Sequence, residues 1–187
     1  RATWHALCAT GYAELTMQAI ADESEKSKAA LHYHYDSKQD LLEAFLDHVT
    51  DRFFERLREA ERETADDPAA RLSAVVDVAL SSPDTDDLGD LQRALVELRA
   101  QAPHEPAYVK RIRAADAEFR ALLANILADG VESGAFQPDI DPERTAHTIA
   151  VFFDGGQLRQ VSLTENCATG QDLLSAYLER CVYREGP

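Results

Sequence analysis

TMQAIADESEKSKAALHYHYDSKQDLL, residues 16–42, holds three of the chain's four lysines, Lys26, Lys28 and Lys38; the fourth is Lys110. The chain of 187 residues is otherwise strongly acidic, with 34 Asp and Glu against 19 Lys and Arg and a formal net charge of -15. Around the lysines stand His32, Tyr33, His34 and Tyr35. Thr16 is placed to cap a short helix through about Glu23, with Met17, Ile20 and Ala21 turned inward. Ser24–Lys26 interrupts it. Ser27 can cap a second short helix to about Tyr33, and Ser37 a long one, with Asp40 at the third position of a capping box. Two short helices across a three-residue break form a helix-turn-helix pattern. The second presents Ser27, Lys28, Ala30, Tyr33 and His34, small residues that admit base edges beside groups that reach phosphates. Lys38 sits at a helix N-terminus, where the dipole disfavours a cation but an anion such as a DNA phosphate binds well.

Outward from this stretch the periodicity stays helical and Gly and Pro fall between segments. Residues 2–10 continue a helix that Gly11 ends; Arg1 reads as already inside it, so the natural start is expected upstream. The long helix from Ser37 lines up Leu41, Phe45, Val49, Phe53 and Leu57. Asp67-Pro68 opens the next, to about Ser81, followed by a loop, SSPDTDD. Leu88, Leu91, Leu95 and Leu98 mark a helix ending near Pro103. Pro106 begins one to Gly134, Asp141-Pro142 one to Leu163, and Thr169 caps the last. The expectation is an all-α fold of nine helices with no sheet.

Residues 16–42 resemble the DNA-binding signature of the tetracycline-repressor (TetR/AcrR) family of transcription regulators. The matches are Thr16, Ile20, Ala21, Ser27, Leu31, Tyr33, His34, Lys38 and Leu41, with GYAELTM at 11–17 fitting the family's run-in. The turn departs from the family's usual Ala-Gly-Val, carrying Ser24-Glu25-Lys26, and a left-handed Glu25 would carry a strain that glycine avoids. His32 and Tyr35 are further departures. The resemblance implies a two-domain repressor: a helix-turn-helix three-helix bundle in residues 1–38, and a helical ligand-binding and dimerisation domain in 39–187. It carries Gln18, Ser27, Lys28, Ala30, Tyr33, His34 and Lys38 to the DNA face, and Thr16 to a phosphate. Met17, Ile20, Leu31, Tyr35, Leu41 and Leu42 become core.

The resemblance also implies a small-molecule cavity among the middle helices, with candidates Leu95, Leu98, Tyr108, Ile112, Phe119, Leu123, Ile126, His147 and Val151. Its apolar lining suits a hydrophobic or amphipathic effector; plain core is the other reading of the same residues. A homodimer is implied through a four-helix bundle of the last two helices, with Phe152, Gly155, Gly156, Leu158, Val161, Leu173, Leu174, Tyr177 and Leu178 at the interface. Two such recognition helices suit a palindromic double-stranded operator. The alternative is a helical small-molecule or protein-interaction module whose DNA contacts have decayed.

Other chemistry finds little support. No Gly-rich phosphate loop, HExxH or GxSxG occurs, so an enzyme is not expected. His32 and His34 point about 200° apart on a helix, which does not suit one metal ion. No cofactor, metal or membrane span is expected. Cys8, Cys167 and Cys181 are odd in number and lack a CxxC pair, which fits a reducing cytoplasm.

Residues 1–38 carry four cations and five carboxylates, a net of −1, leaving −14 of the total of −15 to residues 39–187. Lysine is kept where a polyanion is met. The remaining acidity reads as that of a halophilic chain kept soluble in concentrated salt; an ordinary acidic cytosolic protein is the alternative. On the halophilic reading the melting temperature rises as salt is added from low ionic strength. A melting temperature that falls over such a titration overturns it.

Overall fold

The computed structural model describes residues 1–64, 66–80, 89–163 and 167–184. Among them the chain forms nine α-helices: α1 (Ala2–Glu14), α2 (Met17–Asp22), α3 (Lys28–His34), α4 (Lys38–Glu63), α5 (Pro68–Leu80), α6 (Gly89–Gln101), α7 (Pro106–Ser133), α8 (Pro142–Leu163) and α9 (Cys167–Cys181). A 3-10 turn, Ala102–His104, joins α6 to α7. The described residues contain no β-strand, only an isolated bridge between Phe136 and Tyr183. The expected loop 81–87 and Leu88 lie outside the described residues, as does the side chain of Leu91.

Helix starts follow the capping chemistry. Thr16 and Ser27 accept hydrogen bonds from the N–H groups of Ala19 and Ala30, at 3.0 and 3.1 Å. Ser37 and Asp40 exchange theirs, each 3.1 Å, completing the capping box. Asp67 and Asp141 accept from the N–H groups of Ala69 and Arg144. Each such cap stabilises its helix by about 1 kcal/mol. Gly11 does not end α1 but breaks it, with φ 71 and ψ 167, before one more turn; only glycine takes that conformation without strain. The last helix begins at Cys167, so Thr169 falls within its first turn. The apolar stripe from Leu173 onward fixes the helix's face but not its first residue.

The described residues group into two compact units. One is Arg1–Asp51 with Pro83–Arg113, the other Arg52–Ser82 with Ala114–Pro187. Compactness thus groups the early part of α4, with α6 and the start of α7, with the helix-turn-helix segment. Each unit has its own core. In the first, Trp4, Leu7, Leu15, Ile20, Leu42, Phe45 and Val49 pack with Leu98 and Tyr108. In the second, Leu57, Leu72, Val75, Phe119, Leu123, Ile126, Ile149, Leu174 and Leu178 do so. Each aliphatic side chain of this kind stabilises by roughly 1.5–3 kcal/mol. Arg71, largely buried, ties α5 to Glu61 at 2.6 Å and to Asp129 of α7 at 2.7 Å.

The C-terminal segment of the second unit is clasped to the α7–α8 connection. Phe136 donates its N–H to the Gly130 carbonyl at 3.0 Å, and Gln137 donates to Val182 at 2.9 Å. The buried Phe136 ring lies where a side chain on Gly130 would be. Gly130→Ala is therefore expected to destabilise the protein by about 1–3 kcal/mol through overpacking, a fall in melting temperature of about 2–4 °C per kcal/mol. Denaturant titration checks this, and Phe136→Leu in the same chain should recover part of the loss.

Candidate functional site

The helix-turn-helix is α2, a turn and α3. At the turn Ser24 bonds to the backbone on both sides. Its hydroxyl lies 3.1 Å from the carbonyls of Ala21 and Lys26, either of which can take its one proton, and accepts from the Lys26 N–H at 3.0 Å. The turn is thus closed by a side chain that bonds its own backbone. Beyond it, α3 buries none of its residues. Leu31 and the following Tyr35 are half-buried against the core below, and Met17, Ile20, Leu41 and Leu42 belong to that core or line it.

Of the expected DNA-facing residues, Thr16, Gln18, Ser27, Lys28, Tyr33 and His34 are exposed, and Ala30 and Lys38 half-exposed. Gln18 is engaged with Asp22 across one helical turn at 2.7 Å. Tyr33 is 86% exposed, and its ring meets His34 edge-on at 5.2 Å. A large aromatic side chain left this open on a helix flanked by Lys26 and Lys28 is suited to base edges, with the ammonium groups suited to phosphates. Lys38 turns back to α1, its ammonium donating to the Tyr12 carbonyl at 3.3 Å and standing 4.7 Å from the Tyr12 ring centre.

Residues 1–45 match the model for bacterial regulatory proteins of the tetR family, and 68–182 match that for the C-terminal region of BetI-type transcriptional repressors. The chain belongs to the tetR family. A TetR transcription regulator from Haloarcula marismortui is 39% identical, with a TM-score of 0.88 over 97% of this chain and 94% of its own. The transcriptional regulator BetI of Paraburkholderia phytofirmans is 26% identical over 158 residues, 84% of this chain and 77% of its own. A regulator from Saccharomonospora viridis, solved in complex with choline, is 23% identical and shares the fold, with a TM-score of 0.87 over 98% of this chain and 95% of its own. These families are transcription regulators, not enzymes, and this chain is a DNA-binding regulator of the ligand-responsive kind. None of its described helices is long and apolar enough to cross a membrane.

The residues assigned to the effector fall into three groups. Leu95, Leu98, Tyr108 and Ile112 pack with the core under the helix-turn-helix. Phe119, Leu123 and Ile126 sit in the core of the second unit. His147 and Val151 face outward from α8, Val151 with 58% exposure. Around Phe119 the sequence reading missed an aromatic cluster: Phe153 lies 5.2 Å from Phe119, and Phe53 is 5.6 Å from Phe153 and 5.9 Å from Phe119. Tyr108 is fully buried, with Tyr12 the polar side chain beside its hydroxyl. Burial, then neighbouring Tyr12, Glu105 and Glu43, push its pKa up, so it stays an unionised donor.

The residues assigned to the dimer face also divide. Leu174 and Leu178 are buried inside the second unit's core rather than on a free face of the protomer. Leu158 and Leu173 are 54% and 60% exposed; Gly155 is exposed, and Phe152, Gly156, Val161 and Tyr177 are half-buried. The two glycines differ. Leu80 lies 3.6 Å from where a Cβ on Gly156 would be, and a Cβ on Gly170 of α9 would stand 3.8 Å from the Gly156 Cα. Gly155 faces open space among the described residues.

Proposed function

We propose that this regulator is a homodimeric repressor that a small hydrophobic or amphipathic molecule releases from a palindromic operator, with residues 1–38 reading DNA and 39–187 serving effector binding and dimerisation. The observation that carries the reading is the face of α3, with Tyr33 exposed between capped, rigid ends and Lys26 and Lys28 beside it. Ser27, Ala30, Tyr33 and His34 read bases, while Thr16, Gln18, Lys28 and Lys38 meet the backbone. The Phe53–Phe119–Phe153 cluster supports an effector whose contacts are apolar or cationic, because aromatic faces attract organic cations. Choline, held by one structural relative, is the first effector to titrate. The compartment is the cytoplasm, where duplex DNA is met, and the acidic composition supports a high-salt one.

The dimer reading is supported by exposed Val151, Gly155, Leu158 and Leu173 on α8 and α9. A mid-helix glycine costs roughly 1 kcal/mol against alanine, and at Gly155 nothing within the described protomer requires it. Close approach of a partner helix would. Leu158→Glu or Leu173→Glu is expected to give helical monomers by light scattering and circular dichroism; an unchanged dimer moves the interface off this face.

Lys38→Ala is expected to weaken binding to operator and random duplexes alike and to reduce the slope of log K against log[salt] by about one. The wild-type slope should be shallow, of order −2 to −4 per half-site, since few cations face DNA. A steep slope refutes the shallow contact set. Absence of duplex binding at any salt leaves the effector-binding module as the reading.

A further inference from the structure

Three features of the first unit meet at Tyr12, which the helix-turn-helix motif does not include. Its carbonyl accepts from the Lys38 ammonium at 3.3 Å, and its ring lies under the same group at 4.7 Å. Its N–H donates to the Glu97 carboxylate of α6 at 3.1 Å, across 85 residues of sequence. It directly follows Gly11, whose φ of 71 breaks α1 and detaches this last turn from the helix proper. Tyr12, Lys38 and Glu97 are all half-buried.

We propose that Tyr12 is a positioning residue for DNA binding: its ring and carbonyl form a seat that holds the Lys38 ammonium ready for a phosphate, and Glu97 fixes that seat to α6. The inference rests on the DNA-binding reading of Lys38 given above. An ammonium has three donors. The Tyr12 carbonyl takes one and the ring takes one face, which leaves donors for a phosphate. A free lysine side chain gives up rotamer freedom when a ligand fixes it; a seated one has given up part of it before DNA arrives. Because the turn is cut from α1 at Gly11, its place is set by what grips it from outside. Glu97 is that grip, so a displacement of α6 moves the seat, and the ammonium with it, without any effector touching the DNA-binding helices.

The test is a double-mutant cycle on the full chain, with affinity for a random-sequence duplex as the readout. Tyr12→Leu keeps apolar bulk and removes the aromatic face. It is expected to weaken binding about 2- to 5-fold, the factor a cation–π contact at an exposed site corresponds to, and to have no effect in the Lys38→Ala background. An equal loss in both backgrounds, or no loss in either, overturns the proposal. A second pair is independent of the core packing around Tyr12. Glu97→Gln and Glu97→Ala both remove a charge, but only glutamine keeps an oxygen for the Tyr12 N–H. The alanine variant should bind several-fold more weakly than the glutamine variant when Lys38 is present and equally when it is not; equal binding in both settings also overturns the proposal. If Lys38→Ala itself leaves random-duplex affinity unchanged, the phosphate reading of Lys38 falls, and this inference with it.

Discussion

A seven-residue helix with no buried side chain cannot hold itself in place, yet α3 stands exposed and fixed at the surface of the helix-turn-helix. Isolated helices of that length are unstable in water. What holds α3 is local chemistry at its ends and a core beneath it. Ser27 satisfies an N-terminal N–H group, the Ser24 hydroxyl closes the turn from α2, and Leu31 and Tyr35 reach down to the core. That core is too large for the helix-turn-helix to supply alone. Leu98 of α6 and Tyr108 of α7 complete it, so the helix-turn-helix is built partly on helices far along the chain.

The same requirement explains α4. Its first half offers Leu41, Leu42, Phe45, Leu46 and Val49 to one core, and its second half offers Phe54 and Leu57 to the other. At 26 residues α4 is long enough to give each core its own stretch of apolar positions. Arg111 reinforces the first half by pairing with Glu43 at 3.3 Å and with Asp47. In the second, Arg58 meets Glu118 and Arg71 meets Glu61 and Asp129. Arginine suits these roles because its planar fork binds carboxylates with little further ordering.

What the sequence made legible was local. Thr16, Ser27, Ser37, Asp67 and Asp141 cap the helices they precede because a cap needs only its neighbours three or four residues on. Gly11 announced a break for the same reason, although one more helical turn follows it. Tertiary choices were not legible. The residues from Leu95 to Ile126 read as candidates for one cavity lining or as plain core, and they serve two different cores. On α9, Leu173 and Leu174 are adjacent, and one is exposed while the other is buried. Periodicity finds the α9 stripe; only the neighbouring helices determine which edge of it the protomer covers. Tyr12 and Glu97 escaped notice because a contact made through backbone atoms leaves no trace in side-chain pattern.

The charge distribution then follows from division of labour between the two basic residues. Arg58, Arg71, Arg111 and Arg120 hold carboxylates within the protomer. Lys26 and Lys28 stand exposed at the helix-turn-helix, and Lys38 rests on a ring and a carbonyl rather than a carboxylate. An ammonium seated on neutral groups keeps its full charge for an incoming anion, whereas one paired with Asp or Glu would first have to leave it. Dissolved salt screens exposed charges over about 8 Å at physiological ionic strength and half-buried pairs much less. Salt therefore weakens the field of the acidic surface more than it loosens the Arg71 and Arg111 networks. A chain organised this way keeps its internal ties under conditions that mask the repulsion between its own carboxylates.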